Sequence, residues 1–355
     1  MTLPPDRDNN FDLLRLVFAS SVFLWHLHAL TQAPALELFS HVFSANIAVK
    51  GFFVISGYLV MMSYEHSTSL RDYAEKRVRR IYPAYATVVL VCAAGGMFLT
   101  KIPIMEYVGV SLWRYLAANL LFLNFLAPTL PGVFKGQPYT EANGALWTLK
   151  IEVMYYAFVP IVAWLFAFFG RWRAIIALYA LAALYFILME ELHARSGAGI
   201  WLQLQRQLPG QLGYFLVGVA LYFLRDRLQG RWGVLVVAAL AMFVLITAMA
   251  DPIITVLLEP PVLGILVIYA ATALPYLGNF ARYGDLSYGV YIIHFPVIQA
   301  LVSSGLFARN PWAALLASLL LVAALAALSW HVVERPFLRR RSHYRLAESR
   351  GAEEI

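Results

Sequence analysis

The chain has 355 residues, of which 61% are apolar and only 13% carry a formal charge. A soluble globular protein carries about 25% charged residues, so this composition excludes a soluble protein of this size. The net charge of +7 comes from 27 Lys and Arg against 20 Asp and Glu. In a membrane protein such an excess is typical of cytoplasmic loops. The single cysteine, Cys92, excludes an intramolecular disulfide and a cysteine-ligated zinc site.

Apolar stretches of membrane-spanning length follow one another almost to the C-terminus, and ten of them predict transmembrane helices. The expected fold class is therefore all-α and polytopic. The predicted spans are 11–31, 42–64, 82–100, 146–168, 174–190, 210–224, 233–250, 253–274, 286–306 and 312–333. The stretch 110–130 contains Asn and Pro residues, which favours a re-entrant or surface segment. Residues 1–340 are predicted to form one transmembrane domain, and 341–355 a short basic, then acidic, tail.

The basic residues of the loops predict the orientation of these helices. An even number of spans places both termini on one side of the membrane. By our count that side carries 18 Lys and Arg, whereas the opposite side carries 6. The positive-inside rule therefore predicts that both termini are cytoplasmic.

The first predicted helix contains two ionisable residues, and such residues in hydrocarbon are functional candidates. Arg15 and His26 are eleven residues apart, so they share one helix face about 16 Å from each other, whereas His28 faces away. From spacing alone two interpretations remain open. Either the pair is functional, or Arg15 reaches cytoplasmic phosphates while His26 makes a packing contact.

A run of basic residues lies between the second and third predicted helices, directly before the span that starts at Tyr82. The run comprises Lys76, Arg77, Arg79 and Arg80. One interpretation is an ordinary positive-inside loop. The other is an anion site, because Arg side chains pair with phosphates and the N-terminus of the next helix adds a favourable dipole.

Two later spans also carry polar side chains. Glu152 lies one helical turn from Tyr155 and Tyr156, so its carboxyl can hydrogen-bond either phenol. A structural ion pair with another helix and a catalytic role both remain open for Glu152. In the ninth span Ser287, Tyr291 and His294 form one polar stripe at i, i+4 and i+7. Such a stripe faces the bundle interior, where it either lines a cavity or joins helices. The histidines form no convincing metal set, and the common hydrolase and nucleotide-site motifs are missing.

Six sequence blocks stand out between residues 11 and 337: FDLLRLVFASSVFLWH, KGFFVISGYLV, KRVRRIYPAY, LWTLKIEVMYY, SYGVYIIHFPV and VVERPF. In this order they resemble the motifs of the membrane acyltransferase three family, the integral membrane O-acyltransferases of bacteria and animals. The first block is similar to the family's signature of Arg, ten residues and His. Each block alone is weakly specific, but the ordered set covers nearly the whole chain.

The resemblance implies an O-acyltransferase that moves an acyl group, most often acetyl, from cytoplasmic acyl coenzyme A to a sugar hydroxyl. The implied acceptor is an envelope glycan or exopolysaccharide, or its lipid-linked precursor. The implied partners are therefore acyl-CoA as co-substrate, the glycan and the lipid bilayer, with no metal and no nucleic acid. The implied location is a bacterial inner membrane.

The resemblance also implies roles for particular residues. The family's motif histidine corresponds to His26, its partner arginine to Arg15, and its coenzyme-side arginines to Arg77 and Arg80. From its position within a span we add Glu152 to the predicted catalytic set, and from the same basic run we add Lys76 and Arg79 to the predicted coenzyme-binding set. The predicted acceptor-binding residues are Trp147, Tyr291 and His294.

A transporter or flippase of lipid-linked sugars is the alternative from another functional class, because polar residues also line translocation paths. An inverted repeat would place a second copy of the Arg15 and His26 helix in the other half of the chain. We see no such copy in the sequence.

The predicted orientation can be tested with reporter fusions. A reporter fused after Arg350 should be cytoplasmic, and one inserted near Ala198 should be external, because the basic loops stay on the cytoplasmic side. Alkaline phosphatase and a fluorescent protein, each at both positions, report the two sides independently. The reverse pattern would overturn the predicted sidedness.

Overall fold

The computed structural model describes residues 9–339 and 342, and within this part the chain is helical with no β-strand. Ten helical stretches of the described chain are long and apolar enough to cross a membrane, which confirms the predicted fold class. Their long helices are α1 (Phe11–Thr31), α2 (Ala45–Glu65), α3 (Leu70–Leu99), α4 (Trp147–Phe169), α5 (Arg171–Ser196), α6 (Leu208–Leu228), α7 (Trp232–Met249), α8 (Pro252–Thr272), α9 (Leu286–Ser303) and α10 (Pro311–Ser329). The predicted tail, 341–355, lies outside the described residues apart from Ser342.

The third span differs most from its prediction, because α3 begins at Leu70 and not at residue 82. The basic run is therefore part of a helix, and its interpretation as a loop before a helix N-terminus is wrong. Side-chain hydrogen bonds cap the start of the helix: the Asp72 N–H donates to Ser69 Oγ at 3.1 Å, and Asp72 Oδ2 accepts from the Thr68 N–H at 3.2 Å. An ion pair of 2.8 Å between Glu75 and Arg79 supports the following turn.

The stretch 110–130 forms no spanning helix, as predicted. It contains the helix Val110–Leu120 and a 3-10 turn at Asn124–Leu126. A helix of 11 residues is about 16 Å long, roughly half the thickness of the hydrocarbon core.

The helices cluster into two compact units, each built from separate parts of the chain. The first unit contains the described residues up to Leu14, Val49–Ala74 and Ile151–Gly278. The second contains Arg15–Ala48, Glu75–Lys150 and the described residues from Asn279 onward. Helix α1 therefore contributes its first residues to the first unit and the rest of its length to the second. The single domain expected over residues 1–340 stays a prediction.

In the first unit, two glycines allow close contact between α2 and α6. A Cβ on Gly57 would overlap the carbonyl oxygen of Phe215, and a Cβ on Gly218 would overlap that of Val54. Small residues with this role are typical of helix pairs in membranes, where close packing replaces the hydrophobic effect as the driving force.

The first unit also contains a buried ion pair. Lys50 Nζ lies 2.7 Å from Glu259 Oε2, and the Tyr214 hydroxyl donates to the same oxygen at 2.9 Å. Because an unpaired charge in a span is costly, this pair explains how both residues are tolerated within apolar helices. Sequence analysis did not identify Glu259 as the partner of Lys50.

Prolines inside the helices create specific contacts with other segments of the chain. A proline has no N–H, so the carbonyl four residues earlier loses its helical hydrogen bond. Side chains from other segments donate to three such carbonyls. Tyr73 donates to Tyr156 O at 3.0 Å before Pro160, Tyr179 donates to Leu257 O at 2.9 Å before Pro261, and Asn143 donates to Ile292 O at 2.8 Å before Pro296. These bonds satisfy backbone groups for which hydrocarbon offers no other partner.

This pairing predicts a measurable coupling between Tyr73 and Pro160. Tyr73→Phe should destabilise the protein by about 1 kcal/mol, because it removes only the hydroxyl that satisfies Tyr156 O. In a Pro160→Ala background the restored N–H can bond that carbonyl, so the same change should cost much less. Thermal unfolding of the four purified variants in detergent measures the coupling. Equal costs in both backgrounds would contradict it.

Candidate active site

In the second unit, α1 and α9 make contact at two positions along their length. Near the start of both helices, Arg15 Nη2 lies 2.9 Å from Asp285 Oδ2. Farther along, His26 Nδ1 lies 3.2 Å from His294 Nε2. The two positions are eleven residues apart on α1 and nine on α9, about 16 and 14 Å of helix, so the helices run parallel. The predicted sharing of one helix face by Arg15 and His26 is confirmed, and that face packs on α9.

Backbone carbonyls determine the hydrogen positions in the histidine pair. His26 Nδ1 lies 2.9 Å from Val22 O, and His294 Nδ1 lies 3.1 Å from Val290 O. Because a carbonyl only accepts, we assign a hydrogen to Nδ1 of both rings. A neutral imidazole has one ring hydrogen, so Nε2 of both rings carries a lone pair. His294 Nε2 therefore accepts from the Nδ1–H of His26, and His26 Nε2 is left able to take a proton.

Aromatic rings surround the two histidines. The Trp25 and Phe295 rings meet the His26 ring edge-on, with centroids 5.1 and 5.4 Å away. His294 is fully buried, and the centroids of the Phe23 and Tyr291 rings both lie 6.0 Å from its ring. The contact between the two imidazoles therefore lies among aromatic rings, beside the fully buried His294.

The charged end of this face forms a four-residue cluster. Asp285 Oδ2 lies 2.5 Å from Arg80 Nη2 in addition to its contact with Arg15, and Arg80 Nη1 lies 2.9 Å from Glu334 Oε2. The side chains of Arg80, Asp285 and Glu334 are almost fully buried, and that of Arg15 is 13% exposed. Two guanidinium groups thus face two carboxylates, so the formal charges of the four side chains cancel. Pairing of this kind offsets the large desolvation cost of buried charges.

Asp285 is the centre of this cluster and also the N-cap of α9. Its Oδ1 accepts from the N–H and the hydroxyl of Ser287, at 3.1 and 2.5 Å. Burial alone raises the pKa of the Asp285 carboxyl, but Arg15, Arg80 and the Ser287 hydrogen bonds outweigh burial and lower that pKa to about 2. Asp285 is therefore ionised at physiological pH, so its carboxylate stays paired with Arg15 and Arg80.

The four basic residues predicted to bind the coenzyme lie in different surroundings. Arg80 is buried in the ion cluster. Arg79 is 44% exposed, pairs with Glu75, and donates to Phe337 O at 3.3 Å. Lys76 and Arg77 are partly exposed. Their binding of a coenzyme stays a prediction.

Glu152 belongs to the first unit, whereas Arg15 and His26 belong to the second. Of the two phenols expected within reach of Glu152, that of Tyr156 donates to Glu152 Oε1. The neighbouring Tyr155 instead stacks on Phe215, with ring centroids 4.3 Å apart.

The predicted acceptor-binding residues also differ in exposure. Trp147 is the first residue of α4 and is half-buried. Tyr291 is buried, and its hydroxyl lies 2.6 Å from Thr148 Oγ1. His294 has no exposed surface. Only Trp147 of these three therefore presents appreciable surface to a molecule outside the protein.

The segment before α4 holds the part of α9 that carries His294. Asn143 donates to Ile292 O, and Gln299 donates to Tyr139 O at 2.8 Å and Glu141 O at 3.2 Å. The Tyr139 ring also meets the Phe295 ring edge-on, with centroids 6.4 Å apart. These contacts fix the α9 turns on both sides of the histidine.

Sequence reasoning missed three residues that organise this site: Asp285, Glu334 and Asn143. Two weak signals were present. Asp285 stands two residues before Ser287 at the start of an apolar span, which is typical of an N-cap. Glu334 is an acidic residue within an apolar stretch, and such a residue needs a cationic partner. The role of Asn143 depends on Pro296, more than 150 positions away, and has no local signal.

Comparisons with known proteins identify a family and several relatives of this chain. A family model described as an acyltransferase domain matches residues 8–331. Nodulation protein 10 of Rhizobium leguminosarum bv. viciae is 30% identical, over 94% of both chains. An O-acetyl transferase of Shigella phage Sf6 is 28% identical, over 95% of this chain and 98% of its own. Exopolysaccharide production protein ExoZ of Rhizobium meliloti (strain 1021) is 26% identical, over 86% of this chain and 94% of its own.

No solved structure matches the chain significantly. The family model nevertheless covers nearly the whole sequence, and the relatives align over almost their full length. This agreement confirms the resemblance found in the six sequence blocks. The chain belongs to the acyltransferase domain family, and it is a multi-pass membrane acyltransferase.

Proposed function

We propose that the protein is an O-acyltransferase that moves an acyl group, with acetyl as the favoured group, from cytoplasmic acyl coenzyme A to a hydroxyl of an envelope glycan or exopolysaccharide sugar. The names of two relatives support this choice: an O-acetyl transferase, and a protein of exopolysaccharide production. We further propose a lipid-linked precursor as the acceptor, and a bacterial inner membrane, with both termini cytoplasmic, as the location. The family assignment favours an enzyme over the transporter interpretation.

The observation that carries the proposal is the free Nε2 of His26. In the proposed reaction this nitrogen takes the proton of the acceptor hydroxyl as the hydroxyl oxygen attacks the thioester carbonyl carbon. The tetrahedral intermediate then loses the sulfur atom, and His26 Nε2–H returns the proton to the leaving thiolate. The products are the sugar ester and free coenzyme A, and His26 regains its starting form. General-base catalysis of this kind typically contributes 10² to 10⁴ in rate.

The α1 face that carries Arg15 and His26 suits the two ends of acyl coenzyme A, which are the phosphates and the thioester. Coenzyme A carries three phosphates, and the basic side chains of α3 that are exposed or partly exposed can supply charge for them. We assign this role to Lys76, Arg77 and Arg79. We assign Arg80 to the ion cluster, because two carboxylates already occupy its guanidinium group. The thin pantetheine arm would extend along the face toward His26, about 16 Å from Arg15.

The remaining predicted residues receive supporting roles. Arg15 holds α1 against α9 through its ion pair with Asp285, and so fixes the position of His26 along α9. Trp147 is kept as an acceptor contact, because its ring is partly exposed and an aromatic face suits the apolar face of a sugar. Glu152 is bonded by Tyr156 and takes no part in the proposed proton transfer.

The general-base role predicts a large effect of His26→Ala. Glycan acylation should fall by at least about 10²-fold while the protein still inserts and accumulates, because the change removes the base and little packing volume. Mass spectrometry of surface glycans, normalised to protein abundance, measures this loss. His28→Ala is the matched control and should do far less, because that side chain lies on another face of the same helix. A well-expressed His26→Ala variant with near-parental acylation would show that His26 is not the base.

The assignment of the phosphate site predicts a donor-specific defect. Arg77→Glu should raise the apparent KM for acyl-CoA about tenfold or more, because it replaces a charge-assisted contact by repulsion. Arg71→Glu, an exposed change of the same charge in the first turn of α3, is the matched control and should leave that KM nearly unchanged. Initial rates in washed membranes with endogenous acceptor measure both variants. Equal donor dependence of the two would contradict the assignment.

A further inference from the structure

The structure gives His294 a role other than contact with the acceptor. Its ring has no exposed surface and is enclosed by Phe23, Tyr291 and the backbone of α9. Within this enclosure its Nε2 lies 3.2 Å from His26 Nδ1. A substrate atom therefore meets His26 and not His294.

The hydrogen assignment makes His294 an acceptor at a defined point. Its own Nδ1–H is engaged by Val290 O, so Nε2 must carry the lone pair while the ring is neutral. The Nδ1–H of His26 is consequently shared between Val22 O and His294 Nε2. This second acceptor fixes the rotation of the His26 ring. It also keeps the Nε2 of His26, on the far side of that ring, free of hydrogen.

The same contact becomes stronger during the reaction. When His26 takes a proton at Nε2, its ring becomes a cation whose Nδ1–H is a better donor. The lone pair of the fully buried His294 then faces a charged donor, and burial strengthens such a contact. An interaction that strengthens as charge develops lowers the barrier and leaves substrate binding unchanged.

The neighbouring contacts hold His294 in place for this task. Asn143 donates to Ile292 O, the Tyr291 hydroxyl contacts Thr148, and Asp285 caps the start of α9. The turn that carries His294 is thus fixed from both directions along the helix. A ring positioned this firmly loses little entropy when it orients another side chain.

We propose that His294 is a positioning residue that accepts the Nδ1–H of His26, fixes the His26 tautomer with a free Nε2, and supports the imidazolium formed during acyl transfer. The proposal rests on the proposed function, because it assumes that His26 is the base. Its chemistry parallels the way in which a hydrogen-bond partner orients a catalytic or metal-binding histidine in other enzymes.

The test compares His294→Gln with His294→Leu. Gln keeps an acceptor oxygen within reach of His26, whereas Leu has a similar volume and no acceptor. His294→Leu should lower kcat about 10- to 100-fold with the KM for acyl-CoA changed less than about twofold, and His294→Gln should recover most of that loss. Should the Leu variant fail to accumulate, His294→Met provides a second apolar side chain for the same comparison.

A double-mutant cycle with His26→Ala separates positioning from packing. Once the base is removed, His294→Leu should have no further effect on the residual acylation rate, because its effect acts through His26. Thermal unfolding of each variant in detergent reports the packing contribution on its own. A merely structural His294 would instead give equal losses in the Gln and Leu variants, or a loss that persists beside His26→Ala.

The outcomes also distinguish this proposal from the proposed function. If His26→Ala shows the predicted loss of acylation and His294→Leu keeps the parental kcat, the positioning role fails and the general base stands. If His26→Ala itself retains near-parental acylation, the proposed base fails, and the role of His294 fails with it.

Discussion

An arginine in a membrane-spanning helix needs an anionic partner, and Arg15 obtains one from Asp285 at the start of α9. Asp285 also pairs with Arg80 on α3, which in turn pairs with Glu334 after α10. Four helical segments of one unit are thereby joined at a single buried cluster whose charges cancel. Removing one member would leave a buried charge uncompensated, so the cluster constrains where α1 can lie against α9.

This constraint has a chemical consequence farther along the same two helices. With α1 and α9 parallel and fixed at one end, the helical rise brings His26 opposite His294. The imidazole pair then needs no contact with solvent or with a metal to define its protonation pattern, because carbonyl oxygens of the two helices define it. The ion pair at the helix starts and the histidine pair to which we assign proton transfer are therefore two parts of one interface.

The sequence was sufficient for features that depend on periodicity. Hydrophobic runs predicted α1 to the residue and all ten spans, and the 3.6-residue period placed Arg15 and His26 on one face. Hydropathy did not predict that α3 begins at Leu70. The reason is that hydropathy marks where the hydrocarbon ends, whereas a helix can continue beyond that point. Sequence reasoning also missed the partners Asp285 and Glu334, since contacts between residues hundreds of positions apart leave no periodic signal in a single sequence.

The central claim, that His26 holds a free Nε2 ready to accept a proton, can be measured directly. Nitrogen NMR of the ¹⁵N-histidine-labelled protein in lipid, with the His26 signals assigned by difference against His26→Gln, reports which ring nitrogen carries hydrogen. At a pH where the enzyme is active, the account predicts a neutral His26 ring with hydrogen on Nδ1 and none on Nε2. A neutral ring with its hydrogen on Nε2, or a ring already doubly protonated at that pH, would contradict it.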